Sequence, residues 1–219
     1  MRTTGAVAPS GAALARALSA PLRASPHRPP DGPLTVLEAG AGTGAVTGTL
    51  LDLLPPGGSL DVAEANPRFA ERLRALVDEH PRWSEAGDGV RVHARLVEEM
   101  PVDHDHGHGY DVIVSGLPFA NFAPAEVEVI MGRYLELLRP GGTLTYFAYL
   151  GTRRARALLA SGEELRRHHA VEEVLAGYRE RYATGFRNVW PNLPPARVWE
   201  LRRPAAGVPL TPCAVGAAR

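Results

Sequence analysis

The chain has 219 residues, 45% of them hydrophobic, and its 24 basic and 24 acidic residues leave no formal net charge at pH 7. That length and apolar share suit one domain with a full core and exclude bulk disorder, while the charge balance argues against nucleic-acid binding driven by a basic surface. No apolar run is long enough to span a bilayer, the start lacks a secretory pattern, and the single Cys213 can form no internal disulfide, so the chain reads as cytoplasmic. Every basic residue is arginine, which with the abundant Ala, Gly and Pro reflects biased base composition rather than function.

In chain order, residues 1–33 are rich in Ala and Pro and are expected to form an N-terminal helical lid segment, with Ser10 capping a short helix that carries Leu14 and Leu18. Residues 34–203 form the main domain. Leu34–Leu37 reads as a buried strand and runs into Glu38-Ala39-Gly40-Ala41-Gly42-Thr43-Gly44, where alternating glycines allow a sharp turn and close approach to a ligand. Ala45–Leu54 reads as a helix ended by Pro55-Pro56-Gly57-Gly58, and Leu60–Glu64 as the second strand. Asn66 caps a helix with Pro67 in its first position, Val90–His93 is a third strand, and Asp111–Ser115 a fourth. Pro124–Leu138 reads as a helix, Arg139–Gly142 as a turn, and Thr143–Tyr149 as the fifth strand. Residues 152–183 look like a charged helical insertion. Phe186–Trp190 and Ala196–Leu201 then suit two antiparallel edge strands, and 204–219 a flexible tail. Alternating strands and helices predict an α/β, Rossmann-like fold: a mostly parallel sheet with an antiparallel C-terminal hairpin and helices on both faces.

Glu-x-Gly-x-Gly-x-Gly is not quite the dinucleotide fingerprint, because its third glycine falls one position early. It resembles the opening loop of class I methyltransferases that use S-adenosylmethionine. The resemblance implies a seven-stranded sheet and cofactor contacts from Glu38, Gly40, Ala41, Gly42 and Gly44, with S-adenosylhomocysteine as the product and no metal. Glu38 suits a ligand with an amino group. Glu64, about twenty residues past the turn, suits a ribose, with Ala65 and Asn66 beside it. Leu96 lies in the region expected to meet the adenine, where an Asp is usual; here a backbone carbonyl or Glu98 would substitute.

Ser115-Gly116-Leu117-Pro118-Phe119 ends the fourth strand, where open α/β sheets bind ligands. It resembles the acceptor loop of methyltransferases that act on nitrogen, which implies cofactor contact from Ser115 and acceptor contact from the Gly116 and Leu117 carbonyls. Tyr149 could aim its hydroxyl at the same nitrogen or serve as a core residue. Phe119, Tyr146, Trp190 and Asn192 are candidate acceptor contacts, with packing the competing role for Trp190 and Trp199.

Thr4–Ser10, Ser115–Pro124, Phe147-Ala148-Tyr149 and Val189–Trp199 resemble bacterial phospholipid N-methyltransferases, which methylate phosphatidylethanolamine. The implied partner is an amine-bearing molecule or phospholipid headgroup, met as a protein peripheral to the membrane. Only three residues precede Thr4, so the basic docking helix of that family is expected to be missing. A methyltransferase acting on a soluble metabolite, an RNA adenine methyltransferase and a non-catalytic nucleoside-binding module remain alternatives. Asp103–His108, with its alternating histidines, reads as a solvated loop rather than a metal site.

Overall fold

A computed structural model describes residues 11–23, 33–83, 89–101, 109–150, 162–205 and 207. Thr4–Ser10 and Asp103–His108 lie outside the described residues.

The elements are α1 (Ala12–Leu18), α2 (Ala20–Arg23), β1 (Thr35–Ala39), α3 (Ala45–Leu53), β2 (Ser59–Ala63), α4 (Pro67–Asp78) and β3 (Val90–His93). After these come β4 (Tyr110–Ser115), α5 (Pro124–Leu137), β5 (Leu138–Tyr149), α6 (Gly162–Tyr182), β6 (Ala183–Val189) and β7 (Ala196–Arg202). The strands form one seven-stranded sheet in the order β3-β2-β1-β4-β5-β7-β6. β1 to β5 pair in parallel, and β7 runs antiparallel to both β5 and β6. The chain steps outward from β1 to β3, then crosses back to place β4 on the other side of β1. The carboxyl ends of β1 and β4 therefore diverge into separate loops, the position at which open α/β sheets hold ligands.

Alternation along the strands sends side chains into two cores, one per face. Val36, Val62, Val114 and Phe147 face Leu14 and Leu18 of α1 and Leu50 and Leu51 of α3. Leu37, Ile113 and Leu144 face Ile130 and Tyr134 of α5 and Val174, Leu175 and Tyr178 of α6. Each fully buried leucine contributes about 1.5–3 kcal/mol relative to exposure, so α1 is part of the core through Leu14 and Leu18, both 0% exposed. The Thr145 hydroxyl also donates to the Leu18 carbonyl (2.8 Å).

Several local expectations change. β1 extends to Ala39, so Glu38 sits inside the strand rather than in the turn. α1 starts after Gly11, whose N–H donates to Asn192 Oδ1 at 3.1 Å. The predicted turn at Arg139–Gly142 lies within β5 as a register shift: Tyr110 pairs with Leu138, then Val112 with Thr143. Gly141, at φ +77°, takes up the extra residues; its N–H donates to the Arg203 carbonyl (3.1 Å), just past β7, and the Arg203 N–H donates to the Gly142 carbonyl (2.9 Å). Of the two hairpin strands, β6 alone lies at a sheet edge. β7 lies between β5 and β6, because the return strand inserts beside β5 and leaves the outward position to β6. The charged segment after residue 161 forms α6, which packs on α5 and β7 as one of the sheet's covering helices. Its buried residues, Val171, Val174, Leu175, Tyr178 and Tyr182, recur at helical spacing, while the charged residues occupy the wet face.

Candidate active site

The glycine run is held open by backbone geometry. Gly40, Gly42 and Gly44 have φ of +71°, +55° and +88°, values that side-chain-bearing residues rarely adopt. The Gly40 N–H donates to the Ala63 carbonyl (2.8 Å), and the Gly44 N–H to the Ala41 carbonyl (3.0 Å). A Cβ on Gly40 would lie 2.3 Å from Leu117 Cδ2, and one on Gly116 would lie 2.6 Å from the Gly40 carbonyl oxygen. The loop after β1 and the loop after β4 are thus in backbone contact, and the Gly116 N–H donates to the Ala39 carbonyl (2.8 Å). A Cβ on Gly42 would meet no atom within 4 Å, so the approach there is clear. Ala41 is buried beside it.

Two carboxylates flank this turn. Glu64, 7% exposed, accepts the Gly42 N–H on Oε2 and the Asn66 N–H on Oε1, both at 2.8 Å. Each carboxylate oxygen offers two lone pairs, so both retain one for a further donor. Asn66 in turn caps α4, its Oδ1 accepting from the Arg68 N–H (3.0 Å), and Ala65 between them is exposed. Glu38 is fully buried. Its Oε2 accepts the Thr47 hydroxyl (2.7 Å), and its Oε1 has no partner among the described residues. Burial pushes the Glu38 carboxyl up to about 8, with the neighbouring Glu64 adding to the effect. An acid so placed is relieved by a cation or strong donor delivered to Oε1.

The loop after β4 is similarly fixed. Ser115 is fully buried, and its Oγ accepts the Tyr134 hydroxyl (2.9 Å). The Leu117 carbonyl accepts the Phe119 N–H (3.1 Å), leaving one lone pair. Phe119 packs edge-on against Tyr146, ring centroids 5.6 Å apart, and both are buried. Arg179 of α6 donates to the Tyr146 hydroxyl (3.5 Å), yet burial still pushes that phenol up to about 12.

Tyr149 lies three residues beyond Tyr146 and on the opposite face, its ring 5.1 Å from Phe147, half-buried, with burial raising its phenol. β7 is antiparallel and Tyr149 pairs with Ala196, so the 190–195 connection comes to the same sheet edge as the glycine turn. Within it Asn192 is buried, bonded to Gly11 and to the Pro194 carbonyl (2.7 Å), whereas Trp190 is 66% exposed. Leu96 is 39% exposed at the head of the 3-10 turn Val97–Glu99, its N–H donating to Glu99 Oε2 (3.3 Å).

Sequence reasoning overlooked two features. Thr47, in the first turn of α3 and nine residues past Glu38, is the group that engages its carboxyl. Asp61, the one charge in β2, is buried and accepts from His93 (2.7 Å), Arg91 (3.0 Å) and Tyr110 (2.9 Å). A charge in the middle of an apolar strand opposite Arg and His on the next strand was the available signal. Burial opposes ionisation of Asp61, but the bonds from His93, Arg91 and Tyr110 outweigh it and lower its carboxyl to about 2. No group of three His, Cys, Asp or Glu side chains suited to a metal occurs among the described residues, and no described helix is long and apolar enough to cross a membrane.

No family model matches the chain. An ornithine lipid N-methyltransferase of Singulisphaera acidiphila is 30% identical over 109 residues, which span 49% of this chain and 54% of that protein. Among solved structures, the O-methyltransferase TomG of Streptomyces achromogenes, in complex with S-adenosylmethionine, aligns with TM-score 0.61 at 17% identity. The alignment covers 90% of this chain and 81% of TomG. Magnesium protoporphyrin IX methyltransferase (ChlM) of Synechocystis aligns with TM-score 0.57 at 14% identity, over 86% and 77%. Strand order, the antiparallel β7 and these alignments agree: the chain has the fold of the class I S-adenosylmethionine-dependent methyltransferases.

Proposed function

We propose that the protein is an S-adenosylmethionine-dependent methyltransferase that methylates an amine on a lipid headgroup. The observation that carries the cofactor assignment is the unpartnered, buried Oε1 of Glu38 beside the glycine turn. It fits the ammonium of the cofactor's amino acid portion, while the free lone pairs of Glu64 fit a ribose diol and Gly42 leaves room between them. When bound, S-adenosylmethionine supplies a methyl group made electrophilic by its sulfonium.

The chain's contribution is positional. Backbone contact between Gly40 and Gly116 fixes the acceptor loop against the cofactor turn, and these two loops would hold the amine beside the methyl group that bound cofactor would supply. Such alignment contributes on the order of 7–11 kcal/mol in favourable cases. The Gly116 carbonyl and the remaining lone pair of the Leu117 carbonyl accept N–H groups of the amine, and Tyr149 orients it from the far side. Lipid as the acceptor class is supported by the partial match to an ornithine lipid N-methyltransferase and by the resemblance of Ser115–Phe119 and Val189–Trp199 to phospholipid N-methyltransferases.

Calorimetry with S-adenosylmethionine tests the cofactor. Transfer of labelled methyl groups to phosphatidylethanolamine and ornithine lipid vesicles, and in parallel to soluble amines and RNA, tests the acceptor. Label in the lipid fraction is expected. Label only in soluble amines or RNA would replace the acceptor, and absence of cofactor binding would remove the whole reading.

A further inference from the structure

We propose that the tip of the β6–β7 hairpin docks the protein on an anionic lipid surface and so presents the catalytic edge to headgroups. The inference rests on the lipid-amine reading above. The connection 190–195 carries no charged side chain. Trp190 is 66% exposed and Leu193 85% exposed, with Pro191 and Pro194 exposed around them. Tips of this kind are normally polar. Here the polar residue, Asn192, is the buried one, held by the Gly11 N–H and by its own bond to the Pro194 carbonyl. The apolar residues are therefore held outward on a loop anchored from beneath.

Charge completes the pattern. The tip half of the hairpin carries Arg187 and Arg197 and no acid. The hairpin's acidic residue, Glu200, pairs with Gly185 towards the opposite end. Arg187 is exposed, and Arg197 lies over the ring of Phe186 (4.3 Å to its centroid), itself 56% exposed. Tryptophan and leucine that enter the interfacial layer, flanked by arginines that meet phosphates, make an anionic membrane the complementary partner. Position links this surface to chemistry. Ala196, where β7 begins, pairs with Tyr149 at the carboxyl end of β5, so the tip rises from the rim where the acceptor must enter.

The test uses the full chain with phosphatidylcholine vesicles, with and without phosphatidylglycerol. Wild type is expected to co-sediment with the anionic vesicles, with a blue shift of tryptophan emission, and to release as salt is raised. Leu193→Asp is expected to weaken binding about tenfold or more, and Arg187→Glu about fivefold or more, the latter only at low salt. In both variants methylation of vesicle-borne amine lipid falls, while cofactor affinity, melting temperature and methylation of the soluble headgroup amine stay at wild-type levels. Wild type that fails to bind anionic vesicles, or Leu193→Asp that binds them equally well, overturns docking even if soluble amines are methylated. A dimer in sedimentation analysis that Leu193→Asp dissociates, without vesicle binding, would assign the tip to a second copy instead. Failure of cofactor binding with intact vesicle binding would sink the methyltransferase reading and leave the docking surface standing.

Discussion

Replacing Glu38 with glutamine separates the two consequences of burying this acid. In the folded protein the carboxyl ionises only near pH 8, against 4.5 as its ordinary value. Between those values the native state holds a proton that the unfolded chain has lost, so stability is fully present below pH 4.5 and declines as pH rises towards 8. With a differential uptake near one proton, the slope is about 1.4 kcal/mol per pH unit. From pH 5.5 to 7.5 that amounts to about 3 kcal/mol, or roughly 5–10 °C in Tm for a domain of this size. Glu38→Gln keeps an oxygen for the Thr47 hydroxyl and removes the titration, so melting scans across this range should show wild type losing that increment relative to the variant. The same substitution takes away the anionic partner of the cofactor's ammonium and should weaken S-adenosylmethionine binding by about 1.5–3 kcal/mol, or roughly 10–150-fold. Parallel pH profiles for the two proteins, or equal cofactor affinity, would refute the assigned environment and role of Glu38.

Gly40→Ala and Gly116→Ala should both lower the melting temperature, the first because a Cβ at φ +71° is strained and meets Leu117 Cδ2 at 2.3 Å, the second because its new Cβ meets the Gly40 carbonyl at 2.6 Å. Both should weaken cofactor binding by calorimetry. Tyr149→Phe should lower kcat more than cofactor affinity, and an equal loss in both would remove its place beside the acceptor. Asp61→Asn should destabilise by about 3 kcal/mol by breaking a buried, paired carboxylate. Because Asp61 titrates near 2 against an ordinary 3.8, the stability it contributes is present above pH 3.8 and is lost as pH falls towards 2. The stability difference between wild type and Asp61→Asn should therefore be constant above about pH 4 and close as pH falls towards 2, and a difference that persists at pH 2 would refute the ionised pairing.

β1, β3 and β4 were readable from residue patterns because each is short, carries β-branched residues and adjoins a glycine. β3 and the α4 cap at Asn66 fall at their predicted residues. The neighbours of the C-terminal hairpin were not readable. Alternation in 183–202 identifies two strands but not which of them meets β5, a choice made by long-range pairing. The β5 irregularity was hidden for a related reason: Arg139-Pro140-Gly141-Gly142 has the chemistry of a turn, and only the ladder to β4 and β7 draws it into the strand. At the site, the glycine spacing and Glu64 carried local signals. The bond between Glu38 and Thr47 and the tie from Asn192 to Gly11 join residues whose meeting depends on the folded path. Packing also decides which tryptophan is wet: Trp190 and Trp199 look alike in sequence, yet Trp199 lies beneath the Arg179 and Arg197 guanidiniums while Trp190 faces outward.

Because the Gly116 N–H donates to the Ala39 carbonyl and the Gly40 carbonyl leaves no room for a Cβ on Gly116, the spacing of the loops after β1 and β4 is set by main chain. On the proposed reading, the 190–195 rim could be rebuilt for another acceptor while the two glycines and the carboxylates of Glu38 and Glu64 stay in place.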